Sequence, residues 1–98
     1  MEAVPGYIVV NTIVSDPEQY KSYRELAAQA VERHGGRYLA RGGEMGVLEG
    51  DWQPERLVIL EFESLEAAQA FYDSEEYGAA RDAREGAATM QMVAVAGV

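Results

Sequence analysis

Cysteine is absent from the 98 residues and histidine occurs once. The first absence removes disulfides, thiolate nucleophiles and cysteine-ligated metals, and is consistent with a reducing compartment. The second removes any metal site built from several histidines. No apolar run approaches the ~20 residues of a membrane-spanning helix. The opening Met1-Glu2-Ala3-Val4-Pro5 lacks the basic-then-apolar pattern of a secretory leader. Positive charge is scarce as well: eight Lys and Arg stand against seventeen Asp and Glu, a formal net charge of -9. Such a surface repels nucleic-acid phosphates and acidic lipids, so neither nucleic acid nor membrane is an expected partner, and the expected location is cytoplasmic. There is no glycine-rich phosphate loop with its lysine, no nucleophile elbow and no metal-ligand spacing, so no cofactor and no metal are expected.

What is present reads as one domain over residues 1–98, with a modest core that further burial through self-association would help. Gly6 to Val14 is β-branched and apolar on both alternating faces, with Tyr7, Val9, Asn11 and Ile13 on one and Ile8, Val10, Thr12 and Val14 on the other. Asp16-Pro17-Glu18-Gln19 opens a helix through an Asp cap, a proline in the first turn and a capping-box Gln19. Its stripe runs through Tyr20, Tyr23, Ala27, Ala30, Val31 and His34 until Gly35-Gly36 stops it. Arg37 to Arg41 makes a second strand framed by glycine pairs. Gly42 to Gly50 reads as a turn leading into or through a short extended segment, and Asp51-Trp52-Gln53-Pro54 as a break.

Arg56 to Phe62 is the third strand, apolar on both faces except at Glu61. Ser64 caps a second helix through Leu65, Ala68, Phe71 and Tyr72, and Ser74 caps a further segment through Tyr77, Ala80, Arg81 and Arg84 that ends at Gly86. Thr89 to Ala96 is the fourth strand. The order βαββαβ is the ferredoxin-like α+β pattern, in which two helices cover one face of a four-stranded antiparallel sheet. Its other face is apolar, and pairing two sheets face to face in a homodimer would cover it.

Across nearly its whole length the chain resembles the family known as domain of unknown function 1330, within the dimeric α+β barrel superfamily. The resemblance rests on Gly6-Tyr7, Asp16-Pro17 with Tyr20 and Tyr23, the run Gly36 to Gly43, Leu48-Glu49-Gly50, Glu61-Phe62, and Tyr72 to Tyr77 followed by Arg81 and Arg84. It implies a ferredoxin-like protomer and a dimer whose sheets face each other, with no established reaction to transfer. Related branches of the superfamily include cofactor-free monooxygenases, muconolactone isomerases, haem-dependent chlorite dismutases and small-molecule sensing domains.

Several residues carry possible chemistry. Arg41, at a glycine-framed strand mouth, suits a carboxylate or phosphate through two parallel hydrogen bonds, or a loop through backbone carbonyls. His34, in the last helical turn, suits a cap on the helix dipole or a proton-transfer group. Glu61 breaks an apolar row, so it needs a partner such as Arg41, Arg81 or Arg84, or acts as a base. Asn11 and Gln91 interrupt other strands similarly and put a polar spot inside an apolar barrel. Tyr20, Tyr23, Tyr72 and Tyr77 suit packing and interfaces, with Tyr23 and Tyr72 also candidate ligand contacts, and Trp52 suits a dimer contact or the closing of a pocket. Arg81 and Arg84, one turn apart, hold an anion or pair with Asp73, Glu75 or Glu76.

Two functional readings follow. In one, a small, anionic or partly apolar organic molecule lies between sheet and helices against Arg41, Tyr23, Asn11 and Tyr72; a cofactor-independent proton transfer or oxidation would use His34 or Glu61 as base. In the other, the domain only dimerises, as a structural or interaction module with its polar residues satisfied.

Overall fold

A computed structural model describes residues 4–98; Met1, Glu2 and Ala3, part of the segment read above for a leader, lie outside the described residues. The elements are β1 (Gly6–Val14), α1 (Pro17–Arg33), β2 (Arg37–Arg41), β3 (Leu57–Phe62), α2 (Leu65–Asp73), α3 (Glu75–Ala83) and β4 (Ala88–Ala96). The strands form one antiparallel sheet in the order β2-β3-β1-β4, the ferredoxin-like arrangement. With helices on one face only, the molecule is a slab of 44 × 37 × 16 Å. None of the described helices is long and apolar enough to cross a membrane.

Local chemistry fixes the helix ends. The Asp16 carboxylate accepts from the Gln19 N–H at 3.2 Å, and Pro17 occupies the first turn. The Gln19 side chain does not return to close the capping box. It donates instead to the carbonyls of Ala83 and Glu85, at 3.1 and 2.7 Å, acceptors left over where α3 ends. Gly35 at φ 70° and the Gly36 N–H on the Val31 carbonyl at 2.9 Å end α1 in the left-handed turn that glycine permits. Ser64 and Ser74 cap α2 and α3 by accepting from Ala67 and Tyr77 N–H at 3.0 and 3.1 Å. The span 42–56 forms no helix or strand, so the extended segment expected within Gly42 to Gly50 is absent.

Ile8, Val10, Leu60 and Phe62 meet the helices in the core, where Phe71 lies 4.9 Å from Phe62 and 4.7 Å from Tyr77, ring to ring. The opposite face carries Tyr7, Val9, Leu57 and Ile59, half-buried, and leaves Ile13, Leu39, Val93 and Val95 exposed. Asn11 and Gln91 sit opposite each other on that same face.

One irregularity reorganises β2. Arg37 pairs with Glu61 and Tyr38 with Leu60, but Ala40 then pairs with Ile59 and Arg41 with Val58. Leu39 is the extra residue of a β-bulge. Plain alternation would have left Arg37, Leu39 and Arg41 all on the open face; the bulge turns Arg41 to the helix side, as bulges re-aim side chains elsewhere.

Removing the central ring should be costly. Phe71→Ala is expected to lower the unfolding free energy by about 3–5 kcal/mol, read from urea titration; a loss below about 1 kcal/mol would show the ring cluster to be loosely packed.

Candidate functional site

The bulge brings Arg41 to a cavity of about 40 Å³ between sheet and α1. Tyr23, Arg24 and Ala27 of α1 form one wall, and Thr12, Tyr38 and Val58 of the sheet another. Such a volume holds about two or three waters, or one carboxylate-sized group. Arg41 lies over the Tyr38 ring, its Cζ 4.2 Å from the centroid. Outside, Lys21, Arg24, Glu25, Ala28 and Arg41 line a groove of about 330 Å³. Arg24 and Arg41 belong to both, so the cavity and the groove share these two side chains.

Arg56 completes the mouth. Its carbonyl accepts from the Thr12 N–H at 2.9 Å, which fixes it beside β1 just before β3 begins. Gly42, at φ 66°, donates its N–H to the Leu57 carbonyl at 2.9 Å. A Cβ at this position would collide with the Arg56 guanidinium, so glycine there both makes the turn and clears the arginine. Arg56 Nε and Thr12 Oγ1 are buried and have no hydrogen-bond partner among the described residues. Leaving such groups unpaired costs on the order of 1–3 kcal/mol each, a cost that a bound oxygen acceptor would relieve.

The charge distribution singles out the same place. Lys21 pairs with Glu18, Arg33 with Glu76, and Arg37 with Glu61. Arg24, Arg41, Arg56, Arg81 and Arg84 have no carboxylate within ion-pair distance among the described residues, in a chain with seventeen Asp and Glu. Three of these five converge on one mouth.

Tyr23 also lines this space. Its hydroxyl lies 2.9 Å from that of Tyr77, which in turn donates to Met92 Sδ at 3.8 Å. Burial, and then the neighbouring Tyr77, push the Tyr23 phenol far above its ordinary value of 10, and burial raises Tyr77 too. Both stay neutral across the physiological range, so they serve as neutral hydrogen-bonding groups.

Of the other residues singled out in the sequence, Glu61 is held by Arg37 Nε at 2.6 Å on the open face. Its partner is therefore none of Arg41, Arg81 and Arg84; the register of β2 places Arg37 directly opposite it. His34 Nε2 lies 3.0 Å from a Glu76 oxygen, at the start of α3, and its ring meets Phe71 edge-on at 6.1 Å. Asn11 Oδ1 accepts from the Glu55 N–H at 3.0 Å on the open face. Tyr72 accepts from Arg81 Nη1 at 3.1 Å, with the guanidinium 4.5 Å from its ring, so Arg81 holds a tyrosine rather than an acid. Arg41 and Tyr23 thus share the cavity, whereas Asn11, Tyr72, His34 and Glu61 lie elsewhere. No group of three His, Asp or Glu among the described residues is placed to hold a metal ion.

Thr12, Arg24, Tyr38 and Arg56 complete the site, and the sequence reading does not single them out for it. Two had a signal: Thr12 is the polar member of the helix-facing row of β1, and Arg24 adjoins Tyr23 on the edge of the α1 stripe.

The model of one family, a domain of unknown function (DUF1330), matches residues 5–98. Among solved structures the chain is similar to the RPA0582 protein of unknown function from Rhodopseudomonas palustris, at TM-score 0.70 and 19% identity, covering 99% of this chain and 85% of that one. A dimeric ferredoxin-like protein of unknown function from Thermobifida fusca gives 0.66 and 16%, covering 98% and 93%. SnoaB, a cofactor-independent oxygenase from Streptomyces nogalater, gives 0.64 and 12%, covering 98% and 95%. At such identities the likeness is one of fold. No curated protein matches the chain.

The His34–Glu76 contact makes a pH-dependent tie between α1 and α3. The hydrogen bond from His34 is the main reason the Glu76 carboxyl lies below its ordinary 4.5. A depressed carboxyl contributes stability that is present above its unfolded-state value and is lost as pH falls through the folded-state value. Glu76→Gln should therefore lower Tm near neutrality, and its gap from the native protein should shrink below about pH 4. Thermal melts at several pH values check this, and a gap that persists unchanged in acid would contradict it. Gly42→Ala should displace Arg56 and lower Tm, whereas an unaltered melt and an unaltered Arg56 conformation would show that the turn has room for a side chain.

Proposed function

We propose a binding function for this chain, which belongs to the DUF1330 family: as a homodimer, it takes a small organic anion at the mouth formed by Arg24, Arg41 and Arg56. The observation that carries this reading is the convergence of three arginines without carboxylate partners in a protein of net charge -9. In so acidic a molecule unpaired guanidinium groups are readily matched by an intramolecular acid; three left together suit an external one, which each can grip through two parallel hydrogen bonds. The ligand's charged end meets the arginines and the Thr12 hydroxyl. Its apolar part lies inside the 40 Å³ cavity along Tyr38 and α1, and the 330 Å³ groove outside the arginines is the way in. Polar anchors on apolar walls are the usual make-up of a small-molecule site.

The reading is binding in preference to proton transfer, because His34 and Glu61 are each engaged by a partner, Glu76 and Arg37, outside the cavity. The dimer reading is supported by the open sheet face, where Val93 is 65% and Val95 48% exposed, and by the slab being only 16 Å thick. Exposed apolar rows of this kind are covered when two copies pack sheet to sheet. Leu48 and Trp52 on the 42–56 span, 99% and 59% exposed, suit contact with the second copy. The dimeric Thermobifida protein of the same fold is consistent with this arrangement.

Native mass spectrometry of freshly purified protein should show a dimer, with any retained ligand as added mass. Val93→Glu should shift the spectrum to monomer, and a native protein that is monomeric at micromolar concentration would sink the dimer reading. In calorimetric titration with short carboxylates, Arg41→Ala and Arg56→Gln should each weaken binding by roughly tenfold or more, the value of a hydrogen bond to a charged group. Equal affinities in native protein and both variants would remove the arginine mouth from the function.

A further inference from the structure

A second concavity, of about 530 Å³, opens between α2, α3 and the β4 edge, with Ile8, Ala68, Met90 and Met92 as its floor and Tyr72 and Arg84 on its sides. Ile8 and Met92 also line the 40 Å³ cavity behind the arginine mouth. The two spaces therefore share Ile8 and Met92 in their walls. Met92 is half-buried, and its sulfur accepts only the long 3.8 Å contact from Tyr77. An unbranched thioether with three rotatable bonds moves aside at little cost. Arg84 stands where the two spaces meet. Its guanidinium lies 5.7 Å from the Tyr23 ring centre, its side chain lines the larger groove, and its Nε is buried without a partner among the described residues. Arg81 is already engaged with Tyr72, which leaves Arg84 as the cation of this groove. Gln69 and Asp73 are the other polar residues on its rim.

The geometry points to a single channel gated by Met92, running from the Arg24–Arg41–Arg56 mouth to the β4 groove, whose ligand is an elongated carboxylate with a hydrogen-bonding oxygen at its far end. This rests on the reading of the arginine mouth given above. The carboxylate is held at the mouth, the methylene chain passes Tyr23 and Met92, and the far oxygen accepts from Arg84. Asp73 and Gln69 on the same rim favour a hydroxyl over a second carboxylate there, since a hydroxyl can donate to them while it accepts from Arg84.

Calorimetric titration with straight-chain carboxylates from butanoate to dodecanoate, and with their ω-hydroxy counterparts, tests this. Affinity should rise about threefold to fourfold for each methylene that enters the groove, after a lag set by the gate. Met92→Ala should shorten the lag, and Met92→Phe should end the gain at the length that reaches it, each read as a change in the shape of the length profile. Arg84→Gln should abolish the preference for the ω-hydroxy acids and leave the plain acids as they were; the Met92 pair decides the matter if that variant does not fold. Butanoate binding that needs Arg41 but does not improve with length, or a length profile indifferent to both Met92 variants, would overturn the channel and leave the mouth standing. Failure of every carboxylate to bind the native protein would overturn both.

Discussion

One extra residue in β2 governs how this small sheet is used. Because side chains alternate along a strand, Arg37 and Arg41 would share a face in any regular ladder. The bulge at Leu39 separates them. Arg37 stays on the open face and holds Glu61 at 2.6 Å, so the one carboxylate on that side of β3 is neutralised. Arg41 turns to the helices and joins Arg24 and Arg56 at the cavity. A single backbone irregularity thus keeps the open face free of unpaired charge and places positive charge where the helices and the sheet diverge.

The rest of the site follows from how neighbouring elements enclose that position. Gly42 follows β2 with a positive φ that lets the chain turn away beneath the Arg56 guanidinium. Thr12, next to Arg56 in the backbone hydrogen-bond pattern, presents a buried hydroxyl to the same space. α1 supplies Tyr23 and Arg24, adjacent in sequence but different in environment, one buried and the other exposed at the mouth. The field of a molecule with net charge -9 repels anions at long range, so the anion proposed for this mouth would be held by short-range hydrogen bonds rather than drawn in by steering. Salt screens that repulsion, so an anion would associate faster as ionic strength rises.

The aromatic cluster connects this site to the remainder of the core. Phe62, Phe71, Tyr77 and Tyr72 form a chain of rings at separations of 4.7 to 5.5 Å, and Tyr77 joins Tyr23 through the buried pair of hydroxyls. Those hydroxyls are satisfied by each other, as buried polar groups must be, and their phenols stay protonated. The cluster is rigid packing on one side and cavity wall on the other. Met92, the flexible member beside it, is the place where such a wall can yield.

Much of this architecture was legible in the residues themselves. Asp16, Ser64 and Ser74 carry the helix starts in their side-chain chemistry, Gly35 carries a helix stop in its φ, and two-fold alternation in β1 and β3 separates Ile8, Val10 and Leu60 from Tyr7, Val9 and Ile59. These are local rules acting over a few residues, so the sequence determines them directly, and with them the ferredoxin-like order of elements. Partner choice lay outside such rules. That Glu61 takes Arg37, that Gln19 reaches Ala83 and Glu85, that Arg81 settles on Tyr72, and that His34 finds Glu76 depend on residues 9 to 66 positions apart in the chain. The decisive case is Arg41: alternation assigns it to the wrong face, and only pairing against β3, with a bulge where the ladder slips, brings it to the cavity. Local chemistry set the elements, and the tertiary register decided which charges meet.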